Sequence, residues 1–246
     1  FYYLCRRITK KSVTMSFDYQ TNVDSYAVAD STALIRKVYA WMCMALAITG
    51  LTAVFTASTP FMLNLIFSYQ AVFFVMLLLE LGIVVFLVSR INKMSFSAAM
   101  GWFIAYSVIN GLTLSVIFLA YTASSVAGTF FITAGMFGAM SLIGYTTKKD
   151  LSSWGNIFMM LLVGLIIASL VNIFLKSDTM GWIISIVGVI VFTGLTAYDT
   201  QKIKRMLHGA QTSEQTKKVA LLGALSLYLD FVNLFLYLLR FLGNRR

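Results

Sequence analysis

Apolar residues run through this chain in blocks too long and too continuous for a soluble fold. After a polar opening segment, seven such runs occur, at about Val38–Ala57, Phe61–Val88, Ala98–Ala120, Ala127–Tyr145, Trp154–Leu175, Trp182–Thr200 and Val219–Leu239. Each is near the roughly 20 residues that a helix needs to cross a hydrocarbon core of about 30 Å. Runs such as FMMLLVGLIIASLVNIF show no period-two alternation, which argues against a transmembrane β-barrel. The pattern predicts an all-α, polytopic membrane protein of seven transmembrane helices. It divides the chain into a polar N-terminal tail over 1–35, a membrane domain over 36–243 and a short tail over 244–246.

Composition agrees with the pattern. Hydrophobic residues make up 59% of the chain, charged residues 11%, and the mean hydropathy is +0.84, whereas soluble domains are about a quarter charged. The tail lacks the apolar core and small-residue cleavage site of a signal peptide, and Met15 is a candidate natural start. Cys5 and Cys43 provide neither a disulfide framework nor a thiolate metal site, and His208, the one histidine, is expected to be solvated. No cofactor is expected.

The formal charge of +10 raises the question of nucleic acid, but the cations lie between apolar runs and not on one folded face. Fifteen of the nineteen lysines and arginines fall in the tail and in alternate loops, on one side of the membrane. The positive-inside rule makes that side cytoplasmic, together with the N-terminus. The partner expected of these cations is the lipid bilayer, with no nucleic acid. Seven crossings then put the arginines of RFLGNRR outside, and a shallow or re-entrant last segment is the alternative.

Three acids interrupt this apolar order. Glu80, Asp199 and Asp230 lie inside or at the edge of apolar runs, whereas the other six acids lie in the tail or loops. An ionised acid at the centre of a membrane helix is disfavoured by about 2.5 to 3.5 kcal/mol, so each needs a partner, a water-filled cavity or a proton. Asp230 belongs to a stripe of Gly223, Ser226, Asp230, Asn233 and Tyr237 at three- and four-residue spacing, which shares one helix face. The sixth and seventh helices run antiparallel, so Asp199 and Asp230 can approach one another. Two carboxyl groups that meet in a dry interior share a proton, because like charges there cannot both ionise. The alternatives are an interfacial Asp199 paired with Lys202 or Lys204, and an Asp230 that is simply protonated among interhelical hydrogen bonds. Arg90 follows Glu80 by ten residues, about 15 Å along a helix, as a snorkelling cation or as a partner for an acid. Asn110 and Asn172 are expected to bond between helices.

The stretches KKDLSSWGNIFMM, VNIF, AYDTQKIK and ALSLYLDFVNLFLYLLRFLG resemble the Bax inhibitor-1 (transmembrane Bax inhibitor motif) family, and its bacterial members in particular, over about Ile35–Gly243. The resemblance implies a central seventh helix wrapped by six others. It also implies a pH-sensitive calcium leak closed by a proton-sharing aspartate pair, here Asp199 and Asp230, with transient calcium at that pair. It further implies that Arg90 pairs with Asp230 on opening and that Glu80 is the family's second-helix acid; with the aspartate pair as the gate, Glu80 and Asn233 are expected to line the ion path. No enzymatic turnover is implied. A membrane protease would need Gly-x-Gly before the second aspartate, where Leu227, Tyr228 and Leu229 stand. The alternative is a non-channel role in which the chain binds and restrains a membrane protease or another membrane partner. The expected location is a bacterial inner (plasma) membrane, with the endoplasmic reticulum as alternative.

Overall fold

A computed structural model describes residues 32–67, 70–208 and 213–245. Most of the tail predicted over 1–35, including Met15, lies outside the described residues, as does the side chain of His208.

The helices follow in order as α1 (Thr32–Ser58), α2 (Pro60–Phe67), α3 (Gln70–Arg90), α4 (Phe96–Leu114), α5 (Val116–Ala120), α6 (Ala123–Thr146), α7 (Ser152–Leu175), α8 (Asp178–His208) and α9 (Ser213–Leu242). Among the described residues there is no sheet; one isolated antiparallel bridge joins Tyr121 to Arg245. Among the described residues, seven helices are long and apolar enough to span a membrane. The third of them is α4 and α5 together, offset at Ser115, whose N–H is shared between the carbonyls of Gly111 and Leu112.

The element ends differ from the apolar runs for physical reasons. The run Phe61–Val88 is longer than one crossing requires, and its first part forms the separate α2, started by Pro60 at a helical position that needs no amide donor. Helix α8 continues eight residues past Thr200, so Asp199 lies inside the helix and not at its end. Apolarity records where hydrocarbon stops, whereas the polar turns beyond it are held by tertiary bonds. The Gln201 side chain accepts from Leu151 N at 2.9 Å and donates to Lys149 O at 2.8 Å. Arg205 bonds Asp150 at 2.7 Å and Ser152 Oγ at 2.9 Å.

Helix α9 is the centre of the bundle. In its most apolar window 67% of residues are buried, against 6% for α7. Leu221, Leu227, Tyr228, Leu234 and Leu239 are almost wholly enclosed, while α7 turns Met160, Ile167 and Phe174 outward. With its thirty residues, α9 is about 45 Å long, which is enough for a full crossing. The segment after α9 docks at the start of α6: Thr122 N donates to Asn244 O at 3.2 Å, and Asn244 N donates to Ser125 Oγ at 3.1 Å. The end of the chain therefore lies at the end of the bundle opposite Lys148 and Lys149.

Candidate functional site

The stripe on α9 faces α8. Gly223 packs against Ile203, and Tyr237 stacks on Phe192 with centroids 5.8 Å apart. Between them, Ser226 Oγ donates to Asp199 Oδ2, and the Asp199 and Asp230 carboxyl groups are in side-chain contact at hydrogen-bonding range. Asp230 is buried, and among the described residues no donor reaches its Oδ2. Lys202 is the cation that acts on Asp199, and it lies 5.7 Å over the Tyr198 ring. Lys204 turns away, donating to Tyr145 O at 2.9 Å. Among the described residues, neither lysine forms an ion pair with Asp199.

A cavity of about 240 Å³ reaches Asp199 from the lysine-rich end and is bounded by Val88, Lys202, Ile203, Met206 and Ser226. Asp230 lies behind Asp199 and does not line it. One member of the pair thus faces the cavity and the other is enclosed. Arg90 closes α3 only two residues beyond Val88, but its side chain is exposed and has no ion-pair partner among the described residues.

Glu80 belongs to a different cluster. It accepts from Asn110 Nδ2 at 3.1 Å and from Thr113 Oγ1 at 2.5 Å. Asn110 Oδ1 accepts from Tyr228 OH at 3.0 Å, and that hydroxyl meets Thr49 Oγ1 at 2.7 Å. Helices α1, α3, α4 and α9 are thereby joined through one buried polar chain. Tyr228 precedes Asp230 by two residues, roughly 200° around the helix. The Glu80 cluster and the aspartate pair therefore occupy opposite sides of α9 at nearly the same depth. The close approach of α1 and α4 that aligns Thr49 depends on Gly111, where a Cβ would stand 2.6 Å from Thr49 O.

Asn233 donates to the carbonyl of Leu229 at 2.8 Å, within its own helix. Asn110 bonds between helices, as expected. Asn172 instead closes its own helix end. Its Oδ1 accepts from Ser177 N at 3.2 Å and its carbonyl from Lys176 N at 2.8 Å, where the backbone turns left-handed at Lys176 with φ 49°. Among the described residues, no group of three or more His, Cys, Asp or Glu side chains forms a metal-binding set.

Comparison with known sequences places this architecture. The family described as Inhibitor of apoptosis-promoting Bax1 matches residues 31–246. The chain belongs to the Bax inhibitor-1 family. Among curated relatives, the Inner membrane protein YbhL of Escherichia coli (strain K12) is 49% identical over 214 residues, covering 86% of this chain and 92% of that protein. An uncharacterized protein of Rickettsia prowazekii is 47% identical over 210 residues, covering 85% and 89% respectively. An uncharacterized membrane protein of Streptococcus pyogenes serotype M1 is 37% identical over 211 residues, covering 85% and 91%. As a Bax inhibitor-1 protein with seven spans, the chain is an integral, polytopic membrane protein.

Tyr228 does not stand out in the sequence, because it lies within an apolar run. The available signal was its phenol, which needs a partner once buried. The i, i+3 spacing of Asn110 and Thr113, two polar side chains on one helix face, was a second signal.

Proposed function

We propose that this chain is a pH-sensitive cation leak of the calcium type, closed by a proton shared between Asp199 and Asp230. The observation that carries the reading is the contact of two carboxyl groups between α8 and α9, with Ser226 donating to one of them and the other enclosed. Two acids at that range in a dry interior hold one proton between them, because the doubly ionised form sets like charges together at low dielectric. Loss of the proton makes the contact repulsive and loosens α9 from α8. Because the closed form binds the proton, closure weakens as pH rises and the leak increases.

In this reading the cavity bounded by Lys202 and Met206 is the route by which protons and cations reach Asp199. The freed carboxylates are a transient calcium site, and Arg90 is the counter-charge that Asp230 meets on opening. Glu80 and Asn233 line the rest of the path, which requires the Glu80 side chain to leave Asn110 and Thr113. The protein works in a bacterial inner membrane, as the name of its relative YbhL states for that protein.

Proteoliposomes loaded with a calcium-sensitive dye test this. The native chain should leak faster at pH 8 than at pH 6. Asp230→Asn, and the double variant with Asp199→Asn, should make the rate independent of pH while the chain stays folded. A native flux that does not respond to pH, or a response that survives both substitutions, rejects gating by the aspartate pair; no flux above that of protein-free vesicles rejects the leak in favour of a role in restraining a membrane partner.

A further inference from the structure

A second polar cavity, of about 410 Å³, opens at the lysine-rich end between the last turn of α6, the loop after it and α8. Tyr145, Thr147, Lys148, Gln201, Lys204 and Arg205 line it. Its floor is the contact of Gly144 with Ala197, so tight that a Cβ on Gly144 would stand 2.2 Å from Ala197 O.

Among the described residues, three cations and no acid line this space. Two of the three cations, Lys204 and Arg205, are held in place before any ligand arrives. Lys204 Nζ donates to Tyr145 O at 2.9 Å and lies 4.4 Å from the centre of its ring. The Arg205 guanidinium is fixed by Asp150, by Ser152 and, at 2.7 Å, by Gln201 Oε1. Gln201 is itself only 7% exposed and bonded to the loop backbone. Asp150, the acid behind Arg205, has its carboxyl held down to about 2 by the Ser152 backbone N–H and by Arg205. Its charge is therefore constant at neutral pH, and one negative charge remains against the three positive ones. Cations fixed in this way lose little side-chain freedom when an anion binds.

The position in the bundle selects the anion. Leu142 and Ile143, one turn back along α6, are exposed apolar residues, whereas Thr147 and Lys148 are polar. The cavity thus lies where hydrocarbon gives way to water, and Tyr145 stands at the level that interfacial aromatics favour. We infer that this cavity is a binding site for the phosphate of an anionic phospholipid headgroup, with the acyl chains running along the exposed apolar face of α6. A basic pocket between membrane helices at the cytoplasmic boundary suits such a headgroup. Free phosphate shares the headgroup chemistry but gains nothing from the apolar face.

Native mass spectrometry of the full chain in detergent tests the inference, with phosphatidylglycerol, phosphatidylcholine and inorganic phosphate titrated separately. Phosphatidylglycerol should bind in preference to phosphatidylcholine. Lys148→Gln with Lys204→Gln should weaken it by about 10- to 30-fold. Lys37→Gln with Lys93→Gln, which removes the same charge from exposed positions at the same end, should leave it unchanged. Lys148→Gln alone alters one exposed side chain that makes no side-chain hydrogen bond among the described residues, and should cost about fivefold even if the double variant folds poorly. Equal losses in the control pair mean diffuse attraction and overturn the site. Binding of inorganic phosphate as tight as that of the lipid assigns the cavity to a free anion and overturns the lipid assignment, as does equal binding of the two lipids.

Discussion

Asp199 and Asp230 stand out in the sequence because their surroundings are apolar, and a carboxyl group in such surroundings requires an explanation. Tyr228 does not stand out, since a tyrosine in a membrane helix passes for an apolar residue until its hydroxyl is traced to a partner. In the fold that hydroxyl links Thr49 on α1 to Asn110 on α4, and Asn110 to Glu80 on α3. Tyr228→Phe leaves the side-chain oxygen of Asn110 buried without its donor, and should lower the unfolding free energy by about 1–2 kcal/mol. Asn110→Ala should cost a similar amount. The two substitutions together should cost clearly less than their sum, because either one breaks the same chain of bonds. Denaturation of the four proteins in one detergent measures this, and simple additivity would mean that the bonds act independently.

Hydropathy locates each helix by its apolar stretch, and every one of the seven runs contains a spanning helix. It does not locate the helix ends, because α8 continues past its apolar run where tertiary hydrogen bonds of Gln201 and Arg205 hold it, and α9 starts at Ser213, ahead of its apolar run. Nor does it reveal the offset at Ser115 or the separate α2. The polar stripe on α9 was legible from spacing alone, whereas Asp199 as its partner came from the antiparallel order of the last two helices and from the family resemblance, since spacing leaves any of six helices free to face it. Close approach between α6 and α8 depends on Gly144, where a Cβ would clash with the Ala197 carbonyl. Gly144→Ala should therefore destabilise the bundle by about 1–3 kcal/mol. Gly82→Ala, where a Cβ would meet nothing within 4 Å, should be neutral or slightly stabilising. Thermal midpoints in the same detergent compare them, and equal midpoints would mean that α6 can move off α8 without penalty.

For the whole molecule, an odd number of crossings puts the two chain ends on opposite sides of the membrane. The count of lysines and arginines alone left the closing arginines in conflict with that arrangement. The fold favours the full crossing over a re-entrant segment. Helix α9 is continuous and long enough to cross, and Asn244 is bonded to Thr122 and Ser125 at the end away from Lys148. Arg240 lies along Gly181 at that same end. Single cysteines at Lys148→Cys and Arg245→Cys, in a chain whose Cys5 and Cys43 are replaced by serine, should react with a membrane-impermeant maleimide from opposite sides of sealed vesicles. Labelling from the same side would show that α9 does not cross.

The sequence by itself determined the class of the protein, the number of spanning helices and the lysine-rich face, because transfer into hydrocarbon and the distribution of charge between loops are properties of local composition. It also singled out the acids, since a charge in an apolar run is anomalous wherever the helix packs. Only the tertiary structure decided which acids meet. Asp199 and Asp230 share the α8–α9 contact, while Glu80, equally anomalous in the sequence, belongs to a separate network on the far side of α9. Spacing assigns a residue to a face of its own helix, but only the packing of the bundle determines what that face meets.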